Sequence, residues 1–170
     1  MNILLTGPPS IGKSTVIKKI VNTLAPDRAE GFWTGEIRRG TERVGFSITT
    51  LDGQTGLLAH RDLGSGPQVG KYFVNLADID RLIVPVLRRA RQSAKMIVID
   101  EIASMELKSS LFAPEVRECL DTGQVLGAIQ KKGGSFVEEV KSRPDVTVME
   151  LTVSNRDCMP QQVLHLLNLR

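Results

Sequence analysis

Several residue types that often disclose a function are scarce in this chain. It has two cysteines, Cys119 and Cys158. Neither stands at zinc-ligand spacing from another Cys or His, and one pair does not build a disulfide framework. Zinc modules and disulfide-stapled scaffolds are therefore excluded, and a reducing, cytoplasmic setting is the simplest expectation. The two histidines, His60 and His165, have no partner visible in the sequence. Aromatic residues make up 4% of the chain, too few to line a stacking groove for single-stranded nucleic acid. No run of eighteen apolar residues occurs, so no membrane-spanning helix is expected. Residues Met1 to Gly7 lack a basic start and a small-residue cleavage site, so no secretory signal is expected. Repeats and low-complexity tracts are missing too.

Charge of one sign is also lacking. The net charge is +3, mildly favourable for anionic ligands. The basic clusters Lys18-Lys19, Arg38-Arg39, Arg88-Arg89 with Arg91, and Lys131-Lys132 are scattered along the chain. Solvated surface is the simple reading of each, and nucleic acid is not an expected partner.

What is present is a 170-residue chain with 41% hydrophobic residues, enough for one domain with its own core over residues 1–170. Asn2 to Thr6 reads as a short apolar strand. Lys13 to Leu24 then carries apolar residues at helical spacing, with Pro26 just beyond. Phe32 to Arg38 and Val44 to Leu51 flank Arg39-Gly40-Thr41-Glu42-Arg43, which predicts an antiparallel hairpin. Asp52-Gly53 marks a turn, and Val69 to Val74 reads as one strand. Helical spacing returns from Ile79 to Ala90, with Pro85 predicted to kink that helix or mark its start. Met96 to Asp100 is an apolar strand. A helix around Leu111 to Leu120, a strand at Val125 to Gln130 and a strand at Val146 to Leu151 follow. Ser135 to Glu138 has the spacing of a capping box, and Pro160 suits the first turn of a last helix. Strands alternating with helices predict an α/β fold with a mainly parallel central sheet and an added antiparallel hairpin.

Two motifs carry chemistry. Gly7-Pro8-Pro9-Ser10-Ile11-Gly12-Lys13-Ser14 fits the phosphate-loop pattern G-x-x-x-x-G-K-[ST] without a mismatch. Its glycines permit backbone angles that a Cβ disfavours. Its N–H groups and the following helix end, reaching Thr15, form an anion site. Lys13 is expected on the β- and γ-phosphates, and Ser14 on Mg²⁺. Four fixed positions coincide by chance in roughly one chain of this length in a hundred or fewer, and here they also sit between a strand and a helix. The second motif is Asp100-Glu101 at the end of an apolar strand. Asp100 is the candidate metal-side carboxylate and Glu101 the candidate general base. A carboxylate beside the metal ligand suits a hydrolase, which must activate water; a kinase should exclude it.

Together with these motifs, Gly31-Phe32-Trp33-Thr34, Glu36, Arg38, Arg43, Gly45-Phe46, Val69-Gly70-Lys71-Tyr72, Ile102, Met105-Glu106-Leu107 and Asn155-Arg156 resemble the THEP-type P-loop nucleoside-triphosphatase family, relatives of the cancer-related nucleoside triphosphatase. The likeness spans nearly the whole chain. It implies a RecA-like three-layer fold and slow, Mg²⁺-dependent hydrolysis of ATP, GTP, CTP and UTP to the diphosphate and phosphate. The chain departs from the family pattern at Ser10, usually Gly; at Ala103-Ser104, usually Gly-Lys; and at Gly35, usually acidic. A role of that lysine does not carry over.

Other residues stay open at this point. Arg156 can meet the nucleotide or form a surface salt bridge. Arg38 and Arg43 can fold over the site or remain solvated. Gln130 can sense the γ-phosphate, Trp33 can pack or stack on a base, and Glu106 can support the acidic pair. Competing functions are a nucleotide or nucleic-acid kinase using the same loop and a nucleotide-dependent switch.

Overall fold

The computed structural model describes residues 1–169; Arg170, the last residue of the expected 1–170 domain, lies outside the described residues. The chain runs β1 (Asn2–Thr6), α1 (Lys13–Val21), β2 (Ala29–Arg39), β3 (Glu42–Thr50), β4 (Thr55–His60), β5 (Gln68–Val69), β6 (Tyr72–Val74), α2 (Leu76–Asp78), a π turn (Ile79–Ile83), α3 (Val84–Ala90), β7 (Met96–Ile102), a 3-10 turn (Glu106–Lys108), α4 (Phe112–Asp121), β8 (Val125–Ile129), α5 (Ser135–Lys141), β9 (Val146–Glu150) and α6 (Met159–Leu166).

All strands join one sheet in the order β5-β6-β4-β3-β2-β7-β8-β1-β9. The strands from β9 to β2 pair in parallel, and those from β2 to β5 pair antiparallel. The sheet is therefore mixed, and the expected added hairpin opens a five-strand antiparallel half in which β2, β3 and β4 form a meander and β5 lies outside β6. β1 and β8 are buried at every position, which is why both read as unbroken apolar runs.

Alternate residues feed two cores. Leu4, Ile97, Ile99 and Ile129 face α3, α4 and α5 through Leu87, Phe112, Val116 and Val137. Ile3, Leu5, Val98, Leu126 and Ala128 face α1 and α6 through Ile17, Ile20, Met159 and Val163. This is the two-residue period of strands set against helices on both faces. β2 is the joint between the two halves. Its start pairs with β7 and the rest with β3. At Gly31, φ is +141°, and an added Cβ would lie 2.0 Å from the Val98 carbonyl oxygen, so only glycine fits the crossing.

Three local details differ from expectation, while Pro85 marks a helix start, one of its two expected readings. β4 has no counterpart in the sequence reading. The expected strand from Val69 to Val74 folds into β5 and β6 around Gly70, at φ +57°. Pro85 falls in the first turn of α3, directly after the π turn; the wider turn accommodates a residue that cannot donate a backbone hydrogen bond. Ser135 does not cap α5: Gly134 holds the cap position, with no side-chain hydrogen bond. No helix among the described residues is long and apolar enough to cross a membrane.

Candidate active site

The loop between β1 and α1 turns sharply at two glycines. Gly7 has φ +149°, and an added Cβ would approach the Leu151 carbonyl oxygen at 2.7 Å. Gly12, at φ +110°, is the N-cap of α1, with no side-chain cap bond and no acidic residue in the first turn. The first N–H groups of α1 therefore have no intrahelical acceptor and no competing anion. Ser10 adopts φ +60°, a left-handed geometry that glycine enters without cost.

Lys13 opens α1. Its Nζ donates to the carbonyls of Gly7 (3.2 Å) and Pro8 (3.3 Å) and lies 3.6 Å from Glu101 Oε1. The side chain is folded back on its own loop and pinned against the acidic pair.

That pair sits where β7 breaks register with β8, between Ile99 and Ile102; such an irregularity re-aims side chains. Asp100 is 1% exposed. Its Oδ2 accepts from Thr34 N (2.7 Å) and Thr34 Oγ1 (2.9 Å). Its Oδ1 is buried without a partner. A buried, unpaired carboxylate oxygen asks for a donor or a cation. Ser14 lines the same cavity as Asp100, and a hydroxyl and a carboxylate oxygen are the hard donors that a divalent cation takes. Among the described residues no cluster of three or more His, Cys, Asp or Glu side chains forms a metal cage of its own.

Burial pushes the Glu101 carboxyl above its usual range; Lys13 opposes that rise and Asp100 adds to it. Glu106 is 3% exposed, with Oε2 unpartnered. Burial, helped by the charges of Glu101 and Asp100, lifts it to about 8.

A cavity of about 760 Å³ unites the site. The P-loop from Gly7 to Thr15, except Ile11, lines it together with Asp100 and Glu101. Ile11 packs instead against the α1 core. Arg156 is exposed between β9 and α6, makes no ion pair among the described residues, and does not line the cavity. Gln130 lines it, with Oε1 accepting from Ser104 N (3.2 Å) and Ser104 Oγ (3.0 Å). Trp33 packs on the α1 core under Lys18, 5.3 Å from the ring centroid, and is not in the cavity.

The rest of the lining includes Thr34, Gly35 and Glu36 of β2 with Arg43 and Phe46 of β3; of these only Arg43 stood open as a site candidate in the sequence. Local pattern gave Thr34 no signal, because its partner Asp100 is 66 residues away. A second cavity of about 440 Å³, lined by Met1, Met96, Val125 and Leu167, shares none of these residues.

A family model described as NTPase matches residues 2–164. The nucleoside-triphosphatase THEP1 of Thermotoga maritima is 44% identical over 168 residues, covering 98% of this chain and 95% of that protein. The human cancer-related nucleoside-triphosphatase is 40% identical over 172 residues, covering 92% and 90%. Among solved structures, crystalline THEP1 from Aquifex aeolicus superposes with a TM-score of 0.88 at 37% identity, covering 98% of both chains. The solution structure of a human cancer-related nucleoside triphosphatase gives 0.82 at 37% identity, covering 98% of this chain and 96% of that one.

Proposed function

The chain belongs to the NTPase family of THEP-type nucleoside-triphosphatases, and from that premise we propose that it hydrolyses nucleoside 5′-triphosphates, with Mg²⁺, to the diphosphate and phosphate. The observation that carries the proposal is one cavity in which Lys13 and the bare N-terminus of α1 face Asp100 and Glu101. A polyphosphate needs the first pair of features and an attacking water needs the second. The single strand β8 between β1 and β7 supports a RecA-like reading of the sheet. Acceptance of ATP, GTP, CTP and UTP, and a cytoplasmic setting, belong to the same proposal.

The loop amides bind the β- and γ-phosphates. Lys13 exchanges the Gly7 and Pro8 carbonyls for phosphate oxygens, which loosens its hold on Glu101. Ser14 and Asp100 would hold Mg²⁺, which supplies charge neutralisation on the phosphate oxygens. Glu101 orients a water, whose oxygen attacks the γ-phosphorus. The bond to the bridging oxygen breaks, the diphosphate leaves, and the water's proton passes to Glu101. A carboxyl already raised by burial is a better proton acceptor than a solvated one.

The test is phosphate release from a triphosphate panel, with and without Mg²⁺, for the wild type and Glu101→Gln. The variant is expected to bind nucleotide within about threefold of wild type and lose about 10²-fold or more in turnover. Unchanged turnover removes the base assignment. Faster transfer to an added nucleoside monophosphate than to water would make the chain a kinase.

A further inference from the structure

The β2–β3 part of the cavity lining contains a cation held by rigid supports and with donors to spare. Arg43 is half-buried, on β3. Its Nε donates to the Tyr72 hydroxyl (3.1 Å) and its Nη1 to Glu36 Oε1 (2.9 Å). The guanidinium lies over the rings of Phe46 (5.0 Å to the centroid) and Tyr72 (5.9 Å). Those two rings are locked edge to face, with centroids 5.2 Å apart. Two aromatic faces and a phenol fix the plane of the guanidinium, which limits the entropy lost when it takes a ligand. Nη2 has no hydrogen-bond partner among the described residues.

The counter-ion is already shared. Glu36 Oε2 accepts from Arg38 Nε (2.9 Å) and Nη2 (2.6 Å). Two guanidinium groups thus meet one carboxylate, leaving one positive charge in excess at the cavity wall. Arg43 can offer its free Nη2 to an anion while its ring and phenol supports stay in place, and Glu36 stays neutralised by Arg38. In the same cavity, Lys13 and the α1 N-terminus follow β1, and Lys131 and Lys132 follow β8, whereas Arg43 comes from β3, on the other side of β7 in the strand order. A phosphoryl group in transfer spreads negative charge over its equatorial oxygens and is stabilised by cations on the remaining side.

We propose that Arg43 is a further catalytic residue: with nucleotide bound, its guanidinium contacts the γ-phosphoryl oxygens and neutralises the charge gathering there as the anhydride bond breaks. The proposal rests on the triphosphatase reading above. It makes the arginine internal to the chain, supplied by the β2–β3 hairpin.

The test uses Arg43→Ala and Arg43→Lys, with Arg39→Ala as a control. Arg39 is on the same hairpin, is highly exposed, pairs with Asp62 and does not line the cavity. Both Arg43 variants are expected to lose about 10²-fold or more in kcat, with KM for Mg-ATP changed by less than about fivefold; Arg39→Ala keeps wild-type turnover. Affinity for ADP alone is expected within about threefold of wild type, whereas ADP with aluminium fluoride, a mimic of the transferring phosphoryl group, binds Arg43→Ala at least tenfold or so more weakly. Turnover of Arg43→Ala within about threefold of wild type overturns the proposal. So does equal weakening of ADP and of ADP with aluminium fluoride, which would make Arg43 a support of the fold. A KM effect that changes with the base would make it a base contact and also overturns it. If the wild type releases no phosphate, the triphosphatase reading is what fails. Arg43 is then still judged by whether its loss weakens a non-cleavable ATP analogue and spares ADP.

Discussion

A carboxyl 3% exposed and close to two others must give up its charge or destabilise the protein that contains it. Glu106 has an ordinary value of 4.5 and is raised to about 8 in the folded chain. Between those values the folded state keeps a proton that the unfolded state has lost. Stability from this group is therefore fully present below pH 4.5 and is lost as pH rises through about 8. Glu106→Gln imitates the protonated side chain and should remove that slope. Urea unfolding of both proteins is expected to show the variant gaining about 2–4 kcal/mol over wild type between pH 5 and pH 8; parallel pH curves would show that Glu106 stays ionised in the fold. The same residue marks how far sequence reading reaches. Lys13, Ser14, Asp100 and Glu101 were legible because fixed spacing encodes their chemistry, and the structure gathers Lys13, Ser14 and both carboxylates at one cavity. Glu106 and Arg43 could only be left open in the sequence, and Thr34 gave no local signal, because each acts through neighbours set by the fold. Ser10 was legible only as a departure from the family pattern; its φ of +60° supplies the physical reason that glycine suits the position.

Element boundaries failed where a local signal had two physical readings. Ser135-Phe136-Val137-Glu138 has capping-box spacing, but the backbone reaches helical geometry one residue earlier, so Gly134 takes the cap and Ser135 becomes the first helical residue. A serine inside the helix has lost the extended geometry from which its oxygen reaches the exposed N–H groups. Gly134 itself has φ −75° and ψ −174°, and a Cβ there meets nothing within 4 Å. Gly134→Ser therefore adds a cap without strain and removes glycine's freedom in the unfolded chain. A gain of about 0.5–1 kcal/mol in chemical denaturation is expected; a loss would show that the backbone needs glycine at this point. β4 was missed for a different reason. Thr55-Gly56-Leu57-Leu58-Ala59-His60 contains one β-branched residue and a glycine, so propensity argues against a strand. Its neighbours decide otherwise. Gly56 lies where a Cβ would come within 2.4 Å of Leu82, and Leu58 and Ala59 are buried beneath the π turn that carries Ile79 and Ile83. Packing supplied what the residues lacked.

At the scale of the molecule, the sheet changes from parallel to antiparallel pairing at β2, and this change puts the site between two kinds of structure. The P-loop and the acidic pair come from the parallel half, and Arg43 with its supports comes from the antiparallel half. If the halves were independent, a catalytic cation on one would be poorly aligned with a phosphate held by the other. The packing argues that they are not. One core contains Ile48, Leu58 and Val74 from the antiparallel half together with Ile97, Ile129 and Val137 from the parallel half and its helix. A shared core should unfold as a unit. Trp33, the single tryptophan, packs on the other face against α1, so its fluorescence reports the side of the sheet opposite that core. Urea transitions followed by Trp33 fluorescence and by far-ultraviolet circular dichroism are expected to coincide, and amides in β3 and β8 should exchange with similar opening free energies. An earlier loss of β3 protection, by several kcal/mol, would make the meander a separate unit. In that case Arg43 could reach the γ-phosphate only after the nucleotide had ordered the wall, and the rate of that ordering would limit turnover.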